Sequence, residues 1–410
     1  MPKMRACLRR TLVALLLASC SGAGARAAPD EELLGRDLGY PVGTRTTWFY
    51  DERVRVGSFS HLDSILPHHR LPRADKPRDL PVAATPPAFT YQGGRTIDDF
   101  LARRRITGLM VIKDGVVQLE RYQYDRTPAQ RLLSNSMAKS ITSIAVGIAL
   151  QEGRIRSLDD NAAVYVPELA GSAYGETPIR ALLRMGSGVK FSERYDGGDD
   201  LSTYVSRQFR DGTIPALRSF GARDAPAGQR FQYASVETIV LGLVVRGATG
   251  QGLSAYVADR LWQPMGAEAD ATWTVDPSGI EYAWGNFNAT LRDWGRLAML
   301  LADDGVRDGK QIIPREYLLE ATDFRRQPAA FAPGTATPYF GYGYQFWTYP
   351  GAVRRFALLG VFGQSIFVDP QLRLALVITA VQRDPTSISD GYGAERGALW
   401  RSLVGHYGSW

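Results

Sequence analysis

The sequence predicts an α/β protein of the segregated α+β kind, built as two lobes: an antiparallel sheet flanked by helices, and a mainly helical lobe inserted into it. Three observations predict this. Strand-like apolar runs gather at 108–122 and again at 342–381. Helix and loop signals with few strand runs fill the stretch from about 155 to 280. The chain has 410 residues, 45% of them hydrophobic, which is enough for one large core or two joined lobes. Strands split by a helical insert imply that both ends of the domain share one sheet.

The first element, residues 1–27, reads as a secretory signal. A basic start through Arg10 precedes the apolar run Thr11 to Leu17, which is too short to span a membrane. Leu17-Ala18-Ser19-Cys20 resembles a lipoprotein signal, with Cys20 as the lipidated residue, whereas Ala25-Arg26-Ala27 offers an ordinary cleavage site. Both cuts stay open, and with them a lipid anchor. The expected location is outside the cytoplasm, periplasmic or tethered to the bacterial envelope. Both cysteines, Cys7 and Cys20, fall in this leader, so the rest of the chain has no disulfide. The formal charge of +6 shrinks once Lys3, Arg5, Arg9 and Arg10 are set aside, leaving 44 basic against 42 acidic residues. No basic stripe with interleaved aromatics remains, which argues against a nucleic-acid partner.

Residues 28–90 follow, punctuated by Pro67, Pro72, Pro77, Pro81, Pro86 and Pro87 with no persistent period. They read as an irregular extension lying over the main body at 91–410. His61, His68 and His69 lie here, and no third ligand at useful spacing makes His68-His69 a metal site. Ile97 to Arg105 looks helical. The runs 108–113 and 116–122 read as strands around Asp114-Gly115, a two-residue hairpin signal. Apolar residues at 137, 141, 144, 145 and 148 make a helical stripe that Gly153 closes. Arg292 to Leu301 and Pro314 to Thr322 read as helices. Strands are expected at Tyr342 to Trp347, Arg355 to Leu359, Ser365 to Val368 and Leu372 to Val381, with a closing helix from Ala394 to His406.

Chemistry concentrates at Ser136-Met137-Ala138-Lys139, where the predicted helix begins. Positions i and i+3 of a helix share a face, about 5–6 Å apart at Cβ. The lysine amine can therefore reach the serine oxygen and, if burial lowers its pKa, take the serine proton. That makes a nucleophile without histidine. The backbone N–H of Ser136 can also point at a bound anion. Ser187 and Lys190 repeat the spacing, but Gly188 and Val189 between them are poor helix residues. The chain has no G-x-S-x-G elbow, H-E-x-x-H or phosphate loop, and His406 is the one histidine beyond the extension. No metal or organic cofactor is expected.

A second stretch, Pro226 to Ser235, turns at Gly228 and delivers Tyr233 just ahead of a helix-like run from Val236. Tyr233 would pass a proton from Ser136 to the leaving group, as a phenolate if a cation lowers its pKa or otherwise as a phenol. The bland alternative is a core tyrosine bonded to backbone.

These residues resemble the penicillin-recognising serine hydrolases: class C β-lactamases, D,D-peptidases and esterases. Within them the chain is most similar to the 6-aminohexanoate-dimer hydrolase and family VIII esterase type. Arg184 to Val189, Gly341 to Trp347 and Gly360 to Gln364 carry the resemblance further, over about 95 to 405. It implies the β-lactamase/transpeptidase-like fold and a Ser136 acyl-enzyme on a small amide or ester. Lys139 would be the general base, working with Tyr233. Ser235 would touch substrate or orient the lysine, and the oxyanion hole would use the N–H groups of Ser136 and Val361. Tyr195 resembles a substrate-side tyrosine, or else is a loop aromatic. Asn288 would face the site or cap the helix near Leu291. Glu193 reads as a solvated loop carboxylate.

The chain departs from the true β-lactamases in two places. Tyr233-Ala234-Ser235 has no asparagine, and the K-T-G strand motif is missing where Arg354 to Gly360 stands. This puts β-lactam recognition in doubt. Arg355 is read as a substitute cation or, more simply, a solvated strand residue. The competing reading of the whole is a penicillin-binding or cell-wall-peptide sensor that acylates without efficient turnover. Oligomeric state is not legible.

Overall fold

The computed structural model describes residues 28–410. Seven strands form an antiparallel sheet in the order Val116–Tyr122, Ile106–Lys113, Leu374–Ala380, Gln364–Asp369, Phe356–Gly360, Trp347–Thr348, Gly341–Tyr342. The first hairpin of the domain thus docks on the C-terminal meander. Asp114 and Gly115 take φ of 51° and 79°, the left-handed pair that a two-residue hairpin turn requires.

Helices cover both faces, which is why the central strands read as unbroken apolar runs. Leu109, Val111, Leu376 and Ile378 face the C-terminal helix Tyr392–Tyr407, through Leu399, Trp400 and Leu403. Met110, Ile112, Ala375 and Val377 face the other way, toward the helices Ala138–Gln151 and Leu291–Ala302. Successive strand residues point to opposite faces, so each layer takes every second side chain. The inserted lobe packs its helix Ser235–Thr249 against Ala138–Gln151. Fold class and lobe arrangement agree with the sequence expectation.

The extension is more ordered than its prolines suggest. It contributes the helix Glu52–Ser58 and the strand His68–Leu71. That strand pairs with Ala271–Thr274 in a second antiparallel sheet, continued by Phe287–Thr290 and Arg131–Leu133. Arg55 and Phe49 enclose the Phe362 ring, the guanidinium 4.2 Å and the phenyl 5.0 Å from its centroid. The signal-peptide, Cys7 and Cys20 readings lie outside the described residues.

Tyr342 to Trp347 is not one strand. Gly341–Tyr342 and Trp347–Thr348 pair with each other across a tight turn in which Gln345 has φ of 64°. The turn's polar groups are taken by the helical lobe and the helix Ala138–Gln151 instead of a neighbouring strand. Gln345 N–H donates to Leu183 O at 2.9 Å, Thr238 Oγ1 to Gln345 Oε1 at 2.8 Å, and Ser140 Oγ to Gln345 O at 2.6 Å.

Candidate active site

Ser136 sits in a 3₁₀ turn, Asn135–Met137, that feeds directly into the helix Ala138–Gln151. The small sheet fixes the turn's approach: Ser134 N–H donates to Phe287 O at 2.8 Å, and Phe287 N–H returns a bond to Ser134 Oγ at 3.1 Å. Asn135, at φ 42°, sends its Nδ2 to Val361 O at 3.0 Å. The nucleophile turn is thereby tied to the end of the strand Phe356–Gly360.

Lys139 Nζ stands 2.9 Å from Ser136 Oγ and donates to Trp284 O at 3.0 Å. The side chain is 1% exposed, between the rings of Tyr233 and Trp284 at 4.9 and 5.6 Å. Burial pushes its pKa down to about 8, partly opposed by the Glu193 carboxylate. Trp284 was not legible as a participant, because it acts through a backbone carbonyl that any residue carries.

Tyr233 reaches the same cleft. The turn at Gly228 pairs with the Arg184-to-Val189 segment: Gly228 N–H donates to Gly186 O at 2.7 Å and Gln232 N–H to Met185 O at 2.8 Å. The ring stacks on Trp347 at 5.7 Å. Burial and the Glu193 charge push the phenol well above its ordinary pKa, against an opposing interaction with the Ser136 hydroxyl. The direction of that shift favours the phenol over the phenolate for Tyr233.

Glu193 overturns the expectation of a solvated carboxylate. It accepts from Ser235 N–H and Ser235 Oγ, both at 2.7 Å, and from the Tyr195 hydroxyl at 2.5 Å. Ser235 opens the helix Ser235–Thr249, whose N-terminal end favours a negative charge. Ser235 thus holds Glu193 rather than the lysine. Sequence alone gave no signal for this, because Ser235, which supplies two of the three hydrogen bonds, lies 42 residues away. Glu193→Gln should shift the rising limb of the pH–rate profile to lower pH. The glutamate charge holds the Lys139 pKa up, so its removal lets that pKa fall further. Stopped pH–rate measurements on an activated ester check this.

Ser136, Tyr195, Tyr233, Gly360 and Val361 line one cavity of about 680 Å³ whose walls are otherwise largely apolar. Val361 is therefore near the nucleophile. Gly360, which sequence reasoning did not single out, packs directly on the nucleophile turn: a Cβ there would fall 2.6 Å from Ser134 O and 3.0 Å from Ser136 N.

Asn288 is not brought to the cavity. It is buried in the strand Phe287–Thr290, with Nδ2 donating to Asn286 O at 3.1 Å. Nor does it cap the following helix, because Thr290 Oγ1 takes that role by accepting from Asp293 N–H. Arg355 is neither solvated nor at the site. It is buried against Asp369 at 2.6 Å, with Trp410 over the guanidinium at 4.6 Å. Ser187 is buried and donates to Glu237 at 2.6 Å, while Lys190 is exposed, so this second serine–lysine spacing makes no pair.

Residues 94–396 match the model of the Beta-lactamase family. The chain belongs to that family. It is a serine hydrolase of that family. It is 27% identical over 356 residues to a 6-aminohexanoate-dimer hydrolase of Paenarthrobacter ureafaciens, covering 83% of this chain and 89% of the relative. A provisionally named 6-aminohexanoate-dimer hydrolase from Bacillus anthracis superposes with a TM-score of 0.78 at 23% identity, over 88% of this chain and 96% of that one. A D-stereospecific amidohydrolase from Streptomyces superposes at 0.54 with 16% identity, over 74% and 95%.

Proposed function

We propose that this chain hydrolyses a small amide or ester through an acyl-enzyme on Ser136. The observation that carries the reading is the buried Lys139 amine, 2.9 Å from Ser136 Oγ with its pKa lowered to about 8. Lys139 in its free-base form takes the serine proton as the oxygen attacks the carbonyl carbon. Tyr233, a neutral phenol beside both groups, passes a proton to the departing amine or alkoxide. Its own proton is replaced from the lysine side, so no net charge builds on the phenol. The oxyanion is received by backbone N–H groups at Ser136 and Val361. Water then repeats the sequence on the acyl-enzyme. The strand beside the nucleophile, Phe356–Gly360, lines the cavity with Leu359 and Gly360 and carries no cation, which favours a linear amide or ester over a β-lactam.

Mixing the protein with p-nitrophenyl butyrate should release a burst of one nitrophenol per chain, followed by a slower steady rate. A fluorophosphonate should add its mass at Ser136. A folded protein showing neither would overturn the reading. An acyl-enzyme that persists for hours would favour the sensor alternative. Export is proposed from the leader alone, and the mass of the mature N-terminus distinguishes lipidation at Cys20 from cleavage after Ala27.

A further inference from the structure

Val361, the second oxyanion donor in the reading above, is followed by a residue in an unfavourable backbone state. Phe362 has φ 59° and ψ 20°, the left-handed region that a large side chain seldom enters. Such a conformation persists only where the surroundings enforce it. Here they act on both backbone and ring. Phe362 N–H donates to Pro385 O, and Phe362 O accepts from Gln382 N–H, each at 3.0 Å. The ring is buried and faces Arg55 at 4.2 Å, Phe49 at 5.0 Å and Phe59 at 5.7 Å. These three groups belong to the extension, outside the residues 94–396 that match the family.

Arg55 does more than cover the ring. It is 3% exposed and donates to three backbone carbonyls. Nη1 reaches Gln382 O at 3.0 Å, Nη2 reaches Tyr50 O at 3.2 Å, and Nε reaches Phe49 O at 3.3 Å. One guanidinium therefore grips both the Phe362 ring and the Gln382 backbone that holds the Phe362 carbonyl. The nearest acids in sequence are engaged elsewhere: Asp51 with Arg53 at 2.9 Å, and Glu52 with Arg105 at 3.0 Å. Burial pushes the Arg55 pKa down to about 10, so the charge remains at neutral pH. A planar fork that lies on a ring while donating to several oxygens is within an arginine's reach and outside a lysine's. Arg55 does not line the Ser136 cavity, so substrate contact does not account for it.

The nucleophile turn holds Val361 from the other side, because Asn135 Nδ2 donates to Val361 O at 3.0 Å. The peptide joining Val361 to Phe362 is a rigid plane, so the Phe362 φ orients that carbonyl. Relaxation of Phe362 toward extended backbone would swing the carbonyl off Asn135 and open the turn that carries the Val361 N–H.

We propose that Arg55, with Phe49, is a positioning residue for catalysis: by holding Phe362 left-handed, the extension fixes the Val361 N–H at the oxyanion site. This rests on the hydrolase reading above and adds the extension to the machinery of the same site.

Arg55→Met keeps much of the stem and removes the fork. With active sites counted by end-point fluorophosphonate labelling, the folded variant should lose roughly 10- to 100-fold in kcat/KM on p-nitrophenyl butyrate, part of the cost of losing a whole oxyanion donor. Hexyl trifluoromethyl ketone, which forms an oxyanion when Ser136 adds to it, should bind more weakly by the same factor. The alcohol made by reducing that ketone cannot form an oxyanion and should bind as it does to wild type. A merely loosened protein would weaken both. In a Phe362→Gly background Arg55→Met should cost little more, because glycine takes the left-handed state without a clamp. Phe49→Leu, on another side of the ring, reads the same ketone-against-alcohol split at smaller size if Arg55→Met fails to fold. A folded Arg55→Met protein with wild-type turnover and ketone affinity overturns the proposal, as does a loss that persists undiminished in Phe362→Gly. Wild type that neither hydrolyses the ester nor prefers the ketone to the alcohol would sink the hydrolase reading, and the clamp with it.

Discussion

Replacing Lys139 by methionine should lower kcat/KM for an activated ester by roughly 10²–10⁴-fold, the usual contribution of a positioned general base. Methionine keeps much of the buried stem's volume, so the loss reports the amine. Wild-type kcat/KM should rise with pH and level off above about 8, where Lys139 loses its proton. The sign follows from the role: a base works deprotonated, and burial has brought that form within reach of neutral pH. At pH 7 about one chain in ten then carries the free amine, which is enough for turnover. Lys139→Met should show a flat profile over pH 6–9. A variant that retained the wild-type limb near 8 would move the titration to another group and take the base assignment with it. Ser136→Ala is the companion measurement and should abolish both burst and label, because no second serine–lysine pair exists in the cavity.

Gly360→Ala should cut kcat by about 10²–10³-fold, the loss typical of a damaged oxyanion site. The reason is spatial. Gly360 has φ −132° and ψ 152°, a conformation any residue adopts. Its added methyl would instead press on the backbone of Ser134 and Ser136 at 2.6 and 3.0 Å. Backbone cannot rotate away as a side chain can, so the nucleophile turn and the Val361 N–H must separate. Overpacking of this kind also costs about 1–3 kcal/mol of stability. Thermal melting with fluorophosphonate labelling separates the two effects: a folded variant that labels slowly supports the placement. A folded variant with wild-type turnover would show that the approach of these two backbones does not matter to the reaction.

The extension bears on this same turn. Arg55 and Phe49 pack on Phe362, whose φ of 59° is unusual for a residue with a large side chain. Phe59 O accepts from Leu133 N–H at 2.9 Å, just before the nucleophile turn. Residues that read as a loose, proline-rich overlay therefore brace both backbone segments of the oxyanion region.

The serine–lysine pair and most elements of the large sheet were legible because their determinants are local. A hydroxyl and an amine three residues apart at a helix start can meet, and a two-residue hairpin turn declares itself through Asp114-Gly115. The charges were not legible. Glu193 reads as solvated until Ser235 and Tyr195 are seen to enclose it, and Arg355 reads as a strand cation until Asp369 is seen to bury with it. A side chain's covalent reach is fixed by its own position in the chain, but the dielectric and counter-charges that decide what it does come from residues tens to hundreds of positions away. Only the tertiary structure brings those together.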